Sequence, residues 1–221
     1  MSSSPPASFG GQLSESFHGG ARALRVWQQC SERISRDEAF ARGAAAAHLP
    51  RPEVYRRALR KAAAAHALRR ELGLDEREFG VLRLLVGEAI PTDLHHVMFM
   101  PIIAQLGSDA QKAHWLPLAE AYKIIGTYAQ TELGHGSNVQ GIETRARFDV
   151  DRDEFVLTTP TLSATKWWPG ALGKTATHAV VMARLILPAG DGADGERDLG
   201  PHVRARALLP REGAAALPCR R

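Results

Sequence analysis

Two cysteines in 221 residues, Cys30 and Cys219 near opposite ends, exclude a disulfide framework and fit a reducing compartment. No apolar run reaches the roughly 18 residues of a membrane-crossing helix, and the N-terminus lacks the apolar stretch of a secretory signal. Charge is not gathered into blocks. The net charge of +4 is carried by dispersed arginines, whereas nucleic-acid binding needs a clustered basic face. The nine histidines include no H-x-x-x-H pair with a suitable carboxylate, and the adjacent His95 and His96 would point about 100° apart on a helix. A metal site is therefore not expected. A strained G-x-S-x-G elbow is also missing. His135-Gly136-Ser137-Asn138-Val139 lacks its second glycine, so Ser137 is not a nucleophile candidate. Aromatic residues are only 6% of the chain, yet two of its four tryptophans are neighbours.

What is present reads first as helix. Residues 1–20, rich in Ser, Pro and Gly, are expected to be disordered. Leu24, Trp27, Ile34 and Phe40 recur at helical spacing, and Ala44 to Ala47 is helix-permissive. Pro52 fits the first position of a helix whose inner face is Val54, Ala58, Ala62, Ala65, Leu68 and Leu72. Arg56, Arg57, Arg60, Lys61, Arg69 and Arg70 lie off that face, as a solvated surface or a patch for phosphates. Gly73 suits the C-cap. Asp75 with Glu78, and Ser108 with Gln111, have the spacing of capping boxes. Pro91 is expected to end the first of these helices, and Leu94 to Leu106 to form another, closed by Gly107.

From Ile124 the period changes to two. Ile142, Thr144, Ala146, Phe148 and Val150 alternate with polar residues, Asp151-Arg152-Asp153 turns, and Glu154 to Thr159 returns as a hairpin. Thr177 to Leu187 continues as a strand.

Two stretches carry the chemistry. Thr127-Tyr128-Ala129-Gln130-Thr131-Glu132-Leu133-Gly134-His135-Gly136-Ser137-Asn138 packs glycines, a hydroxyl, a carboxylate and an amide behind a strand. Such a turn presents backbone N–H groups to ligand oxygens, or is simply a polar surface turn. Glu132 has the chemistry of a general base, and His135 either touches a ligand or caps the turn. Thr165-Lys166-Trp167-Trp168-Pro169-Gly170 sets two indoles beside a Pro-Gly turn, where a ring face suits a flat conjugated system or packs into a core.

Together, the run Tyr128 to Gly136 and the run Ser163 to Gly170, with Gly141-Ile142-Glu143-Thr144 and Asp153 to Leu157 between them, resemble the acyl-CoA oxidases. These are peroxisomal flavoenzymes related to the acyl-CoA dehydrogenases. The resemblance runs over about residues 50–187. It implies an α+β fold: an N-terminal helical domain, then a partial small β domain, with the family's C-terminal helical region absent. The corresponding division is a disordered 1–20, a helical domain 21–123, a partial β domain 124–187 and a flexible or aberrant tail 188–221.

The resemblance further implies FAD as cofactor, with Thr131 hydrogen-bonding the flavin, Gly170 and Gly136 letting backbone approach it, Trp168 (or Trp167) walling the ring, and Ser137 touching substrate. Fatty acyl-CoA and molecular oxygen are the implied substrates, with trans-2-enoyl-CoA and hydrogen peroxide as products in peroxisomal β-oxidation. Complete members are expected to be homodimers. The family's catalytic base is a glutamate of the C-terminal region, so no residue here inherits that role.

Gly200-Pro201-His202-Val203 resembles the start of the next family strand, but Arg204-Ala205-Arg206-Ala207 and the residues after it depart from the pattern. The expectation is a truncated or alternatively spliced product with a tail read out of frame. No Ser-Lys-Leu terminus is present, which leaves a cytosolic location open beside the peroxisomal one. Two functions stand: a member of the oxidase family with doubtful activity as this chain alone, or a non-catalytic helical and β module that binds a partner chain or a nucleotide cofactor.

Overall fold

The structure is a computed structural model, and it describes residues 9–41, 48–189 and 195–207, with side chains to residue 203. The chain forms two compact units, Met1–Ile90 and Pro91–Arg221. The change from helix to strand falls later, after residue 120.

In the first unit, α1 (Phe9–His18), α2 (Ala21–Arg36), α3 (Arg51–Leu72) and α4 (Glu76–Val86) follow one another, with a short 3₁₀ turn at Glu38–Phe40. Helix α1 lies inside the stretch read as disordered. Its Ser, Gly and charged residues hide a ridge of Phe9, Leu13 and Phe17 at four-residue steps, and all three remain exposed. The core joins Val26 and Cys30 of α2, Ala62, Ala65 and Leu68 of α3, and Phe79, Leu82 and Val86 of α4. Burial pushes the Cys30 thiol up, and the neighbouring Glu78 charge adds to this.

The helix ends follow the local signals. Gly73 closes α3 at φ 62°, and Asp75 and Glu78 form the full capping box that starts α4. Helix α4 stops at Val86 with Gly87 at φ 73°, well before Pro91, because a left-handed glycine ends a helix without help from a proline. Lys61, read as part of a wet face, is buried. Its alanine-rich surroundings leave room for the stem, and its ammonium reaches the half-exposed carboxylate of Glu88.

The second unit begins with a π-helical turn (His95–Phe99), α5 (Met100–Leu106) and α6 (Asp109–Glu120), where one continuous helix from Leu94 was expected. The turn is fixed by the His95 ring. Its Nδ1 accepts the Gly126 N–H at 3.0 Å and its Nε2 donates to the Ala119 carbonyl at 3.1 Å, which makes it a neutral Nε2–H tautomer. Ser108 and Gln111 cap α6 as expected.

The sheet follows, with order β1-β4-β2-β3. Strand β4 (His178–Pro188) is central. Along one side it pairs in parallel with β1 (Gly126–Ala129) and, farther on, with β2 (Arg145–Asp149). Strand β3 (Glu154–Thr158) is the antiparallel partner of β2. Along its other side β4 pairs with β5 (Glu196–Ala207). That pairing takes residues 196–207 of the expected tail into the sheet. The Arg-Ala text from 204 to 207 alternates, and alternation suffices for a strand when a long neighbour offers its edge. The unmatched text 208–221 lies outside the described residues. Phe99, Ile103, Ala119 and Ile124 pack with Val180 beneath the sheet, together with Trp115, Leu116, Tyr128 and Val203. Because β1 and β2 share one side of β4, residues 130–144 must leave the sheet between them, and they carry the glycine turn out with them.

Candidate functional site

Two segments meet where the chain leaves β1. The N–H of Trp167 donates to the Thr131 carbonyl at 2.9 Å, that of Leu133 to Thr165 at 2.9 Å, and that of Gly134 to Ser163 at 2.9 Å. The result is a small ribbon of 131–134 against 163–167. The Thr127 hydroxyl of β1 holds the Gly170 carbonyl, so Pro169-Gly170 is moored to the same strand.

This brings Thr131, Trp167, Trp168 and Gly170 onto one end of the sheet. Trp167 is 57% exposed and Trp168 79%, so neither indole packs into the core. Trp168 sits at φ 50° and Ala171 at φ 66°. Left-handed backbone is unfavourable for side-chain-bearing residues, and two such positions flank the Pro-Gly turn. Leu133 and Leu162 add further exposed apolar surface along the ribbon.

The glycine turn has a polar hub. Glu132 is buried, and each of its oxygens has two partners. Oε1 accepts the Thr144 N–H at 2.9 Å and Lys166 Nζ at 3.0 Å; Oε2 accepts the Glu143 N–H at 2.8 Å and faces His135 Nδ1 at 3.1 Å. Burial alone would raise its pKa, but the hydrogen bonds from Glu143, Thr144 and Lys166 outweigh that and hold it at about 2. Burial pushes the Lys166 ammonium down, against the pull of Glu132. Glu143 is lowered by the hydroxyls of Thr161 and Ser163 and by the nearby His135, and both hydroxyls bond it. Glu132 therefore has the wrong environment for a general base, since no lone pair faces an open site.

Of the other residues singled out from sequence, Gly136 and Ser137 are exposed in the turn, and a side chain added at Gly136 would meet open space. A Cβ at Gly170 would instead lie 2.6 Å from Leu94 Cδ1. A substituent there presses inward on a movable leucine. His135 neither caps the turn nor stands free, because Glu132 and Glu143 flank its ring. Sequence reasoning assigned nothing to Lys166, Glu143, Thr144 or Thr127. The signal for Lys166, Glu143 and Thr144 was their place within the runs that carry the family resemblance.

The arrangement fits a flavin. It combines exposed indole faces, a Thr131 hydroxyl without a protein partner among the described residues, and a glycine turn open to close approach. No three His, Cys, Asp or Glu side chains form a metal-ligand group among the described residues.

The family model described as acyl-coenzyme A oxidase N-terminal matches residues 11–125, so the likeness begins well before residue 50. The chain is 49% identical over 202 residues to peroxisomal acyl-coenzyme A oxidase 1 of Arabidopsis thaliana, covering 90% of this chain and 29% of that protein. The crystal structure of a tomato acyl-CoA oxidase superposes with a TM-score of 0.82 at 44% identity, covering 94% of this chain and 30% of that one. Acyl-CoA oxidase-2 of Caenorhabditis elegans, solved with FAD, ascaroside-CoA and ATP bound, superposes at 0.80 with 34% identity, covering 93% and 31%. The chain thus spans about 30% of the length of the relatives it matches, and it belongs to the acyl-CoA oxidase family, whose N-terminal region it carries.

Proposed function

We propose that this chain supplies the flavin-facing part of a peroxisomal, FAD-dependent acyl-CoA oxidase. The observation that carries the reading is the end of the sheet where Thr131, Trp168 and Gly170 converge beside an open glycine turn, in a chain of this family. Thr131 would donate its hydroxyl to the isoalloxazine edge. Trp168 would wall the ring, Gly136 would let backbone come close to it, and Gly170, moored to Thr127, would hold the tryptophan loop beside it. Ser137, exposed on the turn, would contact the acyl-CoA.

The chemistry that FAD supplies when bound is acceptance of the two hydrogens removed from the α and β carbons of a fatty acyl-CoA, with oxygen then reduced to hydrogen peroxide. The chain's own residues position and desolvate. They do not take the α proton, because Glu132 and Glu143 are both committed to hydrogen bonds. A base and a complete pocket must come from a segment like the rest of the relatives' length, and homodimerisation is a property of that completed protein. The absence of a free carboxylate at the site among the described residues also favours a second reading for this chain alone, a cofactor-binding module without turnover.

The test is flavin absorbance of the purified chain, followed by peroxide release from an acyl-CoA by the chain alone and after fusion to a family-type C-terminal region. Bound FAD with turnover only after completion is expected. Positioned general-base catalysis contributes roughly 10²- to 10⁴-fold, so the chain alone should be at least that much slower. Robust turnover by the chain alone overturns the division of roles. Bound flavin without turnover after completion favours the module.

A further inference from the structure

Glu132 is among the most completely buried polar side chains described, and the proposed chemistry gives it no task. Its four partners come from three separate segments: His135 from its own turn, Glu143 and Thr144 from the approach to β2, and Lys166 from the loop before the tryptophans. Lys166 Nζ also donates to the Gln130 carbonyl at 2.9 Å, and the backbones of Glu132 and Lys166 bridge directly. One link beyond this hub, the Thr144 hydroxyl bonds the Ala164 carbonyl at 3.2 Å.

We propose that Glu132, acting through Lys166, is the positioning residue that fixes the register of the Thr131 segment against the Trp167–Gly170 segment. The part of this inference that concerns flavin rests on the cofactor reading above. The donor pattern explains why a glutamate is required. Oε1 and Oε2 each face a backbone N–H, and a backbone N–H cannot become an acceptor. A glutamine in either flip would set an NH₂ against one of them, and aspartate would fall a methylene short. Neighbouring contacts amplify the effect. The Trp167 N–H to Thr131 carbonyl bond and the Leu133 and Gly134 bonds lie on both sides of the bridge, so a shift of Lys166 relative to Glu132 displaces both walls of the proposed ring site together.

The full chain is compared with Glu132→Gln and with the milder Lys166→Met, which leaves the carboxylate its two backbone donors. Hydrogen exchange is followed at the amides of Leu133, Gly134 and Trp167 and, as reference, at Tyr128, Ala129 and Val180 of the sheet. FAD affinity and the visible circular dichroism of flavin at saturation are the second readout. In both variants the ribbon amides should exchange about tenfold faster or more, the scale of a lost charge-assisted hydrogen bond, while the sheet amides hold. FAD should bind about tenfold more weakly, with its dichroism diminished even when saturated. Unchanged ribbon exchange in both variants overturns the inference. Equal acceleration of ribbon and sheet in Lys166→Met also overturns it, since that marks a general stability role. Absence of FAD binding by the parent overturns the cofactor reading alone, and the exchange pattern then decides the positioning role by itself.

Discussion

Acidification provides a sharp test of the Glu132 hub. The carboxyl has an ordinary value of 4.5 and is held at about 2 in the folded chain. A depressed folded value means that ionised Glu132 adds stability above pH 4.5, and that this contribution is lost as pH falls from 4.5 towards 2. At about 1.4 kcal/mol per pH unit, the gap amounts to about 3 kcal/mol. Other carboxylates are held down as well. In this unit, hydroxyl donors lower Glu143 and Arg184 lowers Asp198. The measurement must therefore be a difference between the parent and Glu132→Gln, in which groups away from the hub, such as Asp198, cancel.

The assay is urea unfolding at steps from pH 6 to pH 2 in a Trp27→Phe background. Fluorescence then reports on Trp115, Trp167 and Trp168, all in the second unit. The parent should be more stable than the variant at pH 6, and the gap should shrink by about 3 kcal/mol by pH 2. Parallel stability curves across that range would show that the carboxylate gains nothing from its four partners on folding, and would refute the reasoning.

Three further outcomes are expected. Gly126→Ala would place a Cβ 1.9 Å from the Phe99 ring, and overpacking of this kind should cost about 3 kcal/mol or more; a denaturation midpoint equal to that of the parent removes the predicted clash. Asp75→Ala removes the side-chain half of the capping box on α4 and should cost about 1 kcal/mol, read from thermal unfolding of the first unit by Trp27 fluorescence. Thr131→Ala should weaken FAD binding by about 1–2 kcal/mol without altering the melting temperature, since its hydroxyl has no protein partner to lose among the described residues; unaltered affinity takes Thr131 out of the site.

The sequence was most legible where the physics is local. Capping boxes at Asp75 and Ser108 depend on side chains three residues apart, and both form. The left-handed end at Gly73 and the alternation through β2, β3 and β4 are likewise decided within a few residues. Misreadings arose where a distant partner decides the outcome. The π-helical turn at His95 exists because Gly126 and Ala119 claim the two ring nitrogens, and both are more than twenty residues away. Strand β5 runs on through Arg204 to Ala207, text that departs from the family pattern, because β4 supplies a long edge. Lys61 goes inside because Glu88 meets it there.

The same division explains the site. Thr131, Gly136, Trp168 and Gly170 stood out because the runs that contain them resemble the oxidases. Glu132 stood out too, with the chemistry of a base, although the resemblance places the family's base in the C-terminal region. A carboxylate beside a glycine turn reads as a base when its neighbours in sequence are all that is known. Base chemistry needs a lone pair facing the reacting proton, and that is a property of three dimensions. Here Glu143 and Thr144 arrive from eleven and twelve residues downstream and Lys166 from thirty-four, and together with His135 they occupy both oxygens. The turn would present an uncharged glycine surface to the proposed flavin because its one strong charge faces inward. A free carboxylate on that surface would set a negative charge beside the electron-rich ring oxygens and phosphates of a flavin nucleotide. Buried and saturated with donors, the same carboxylate holds together the two segments that would grip it.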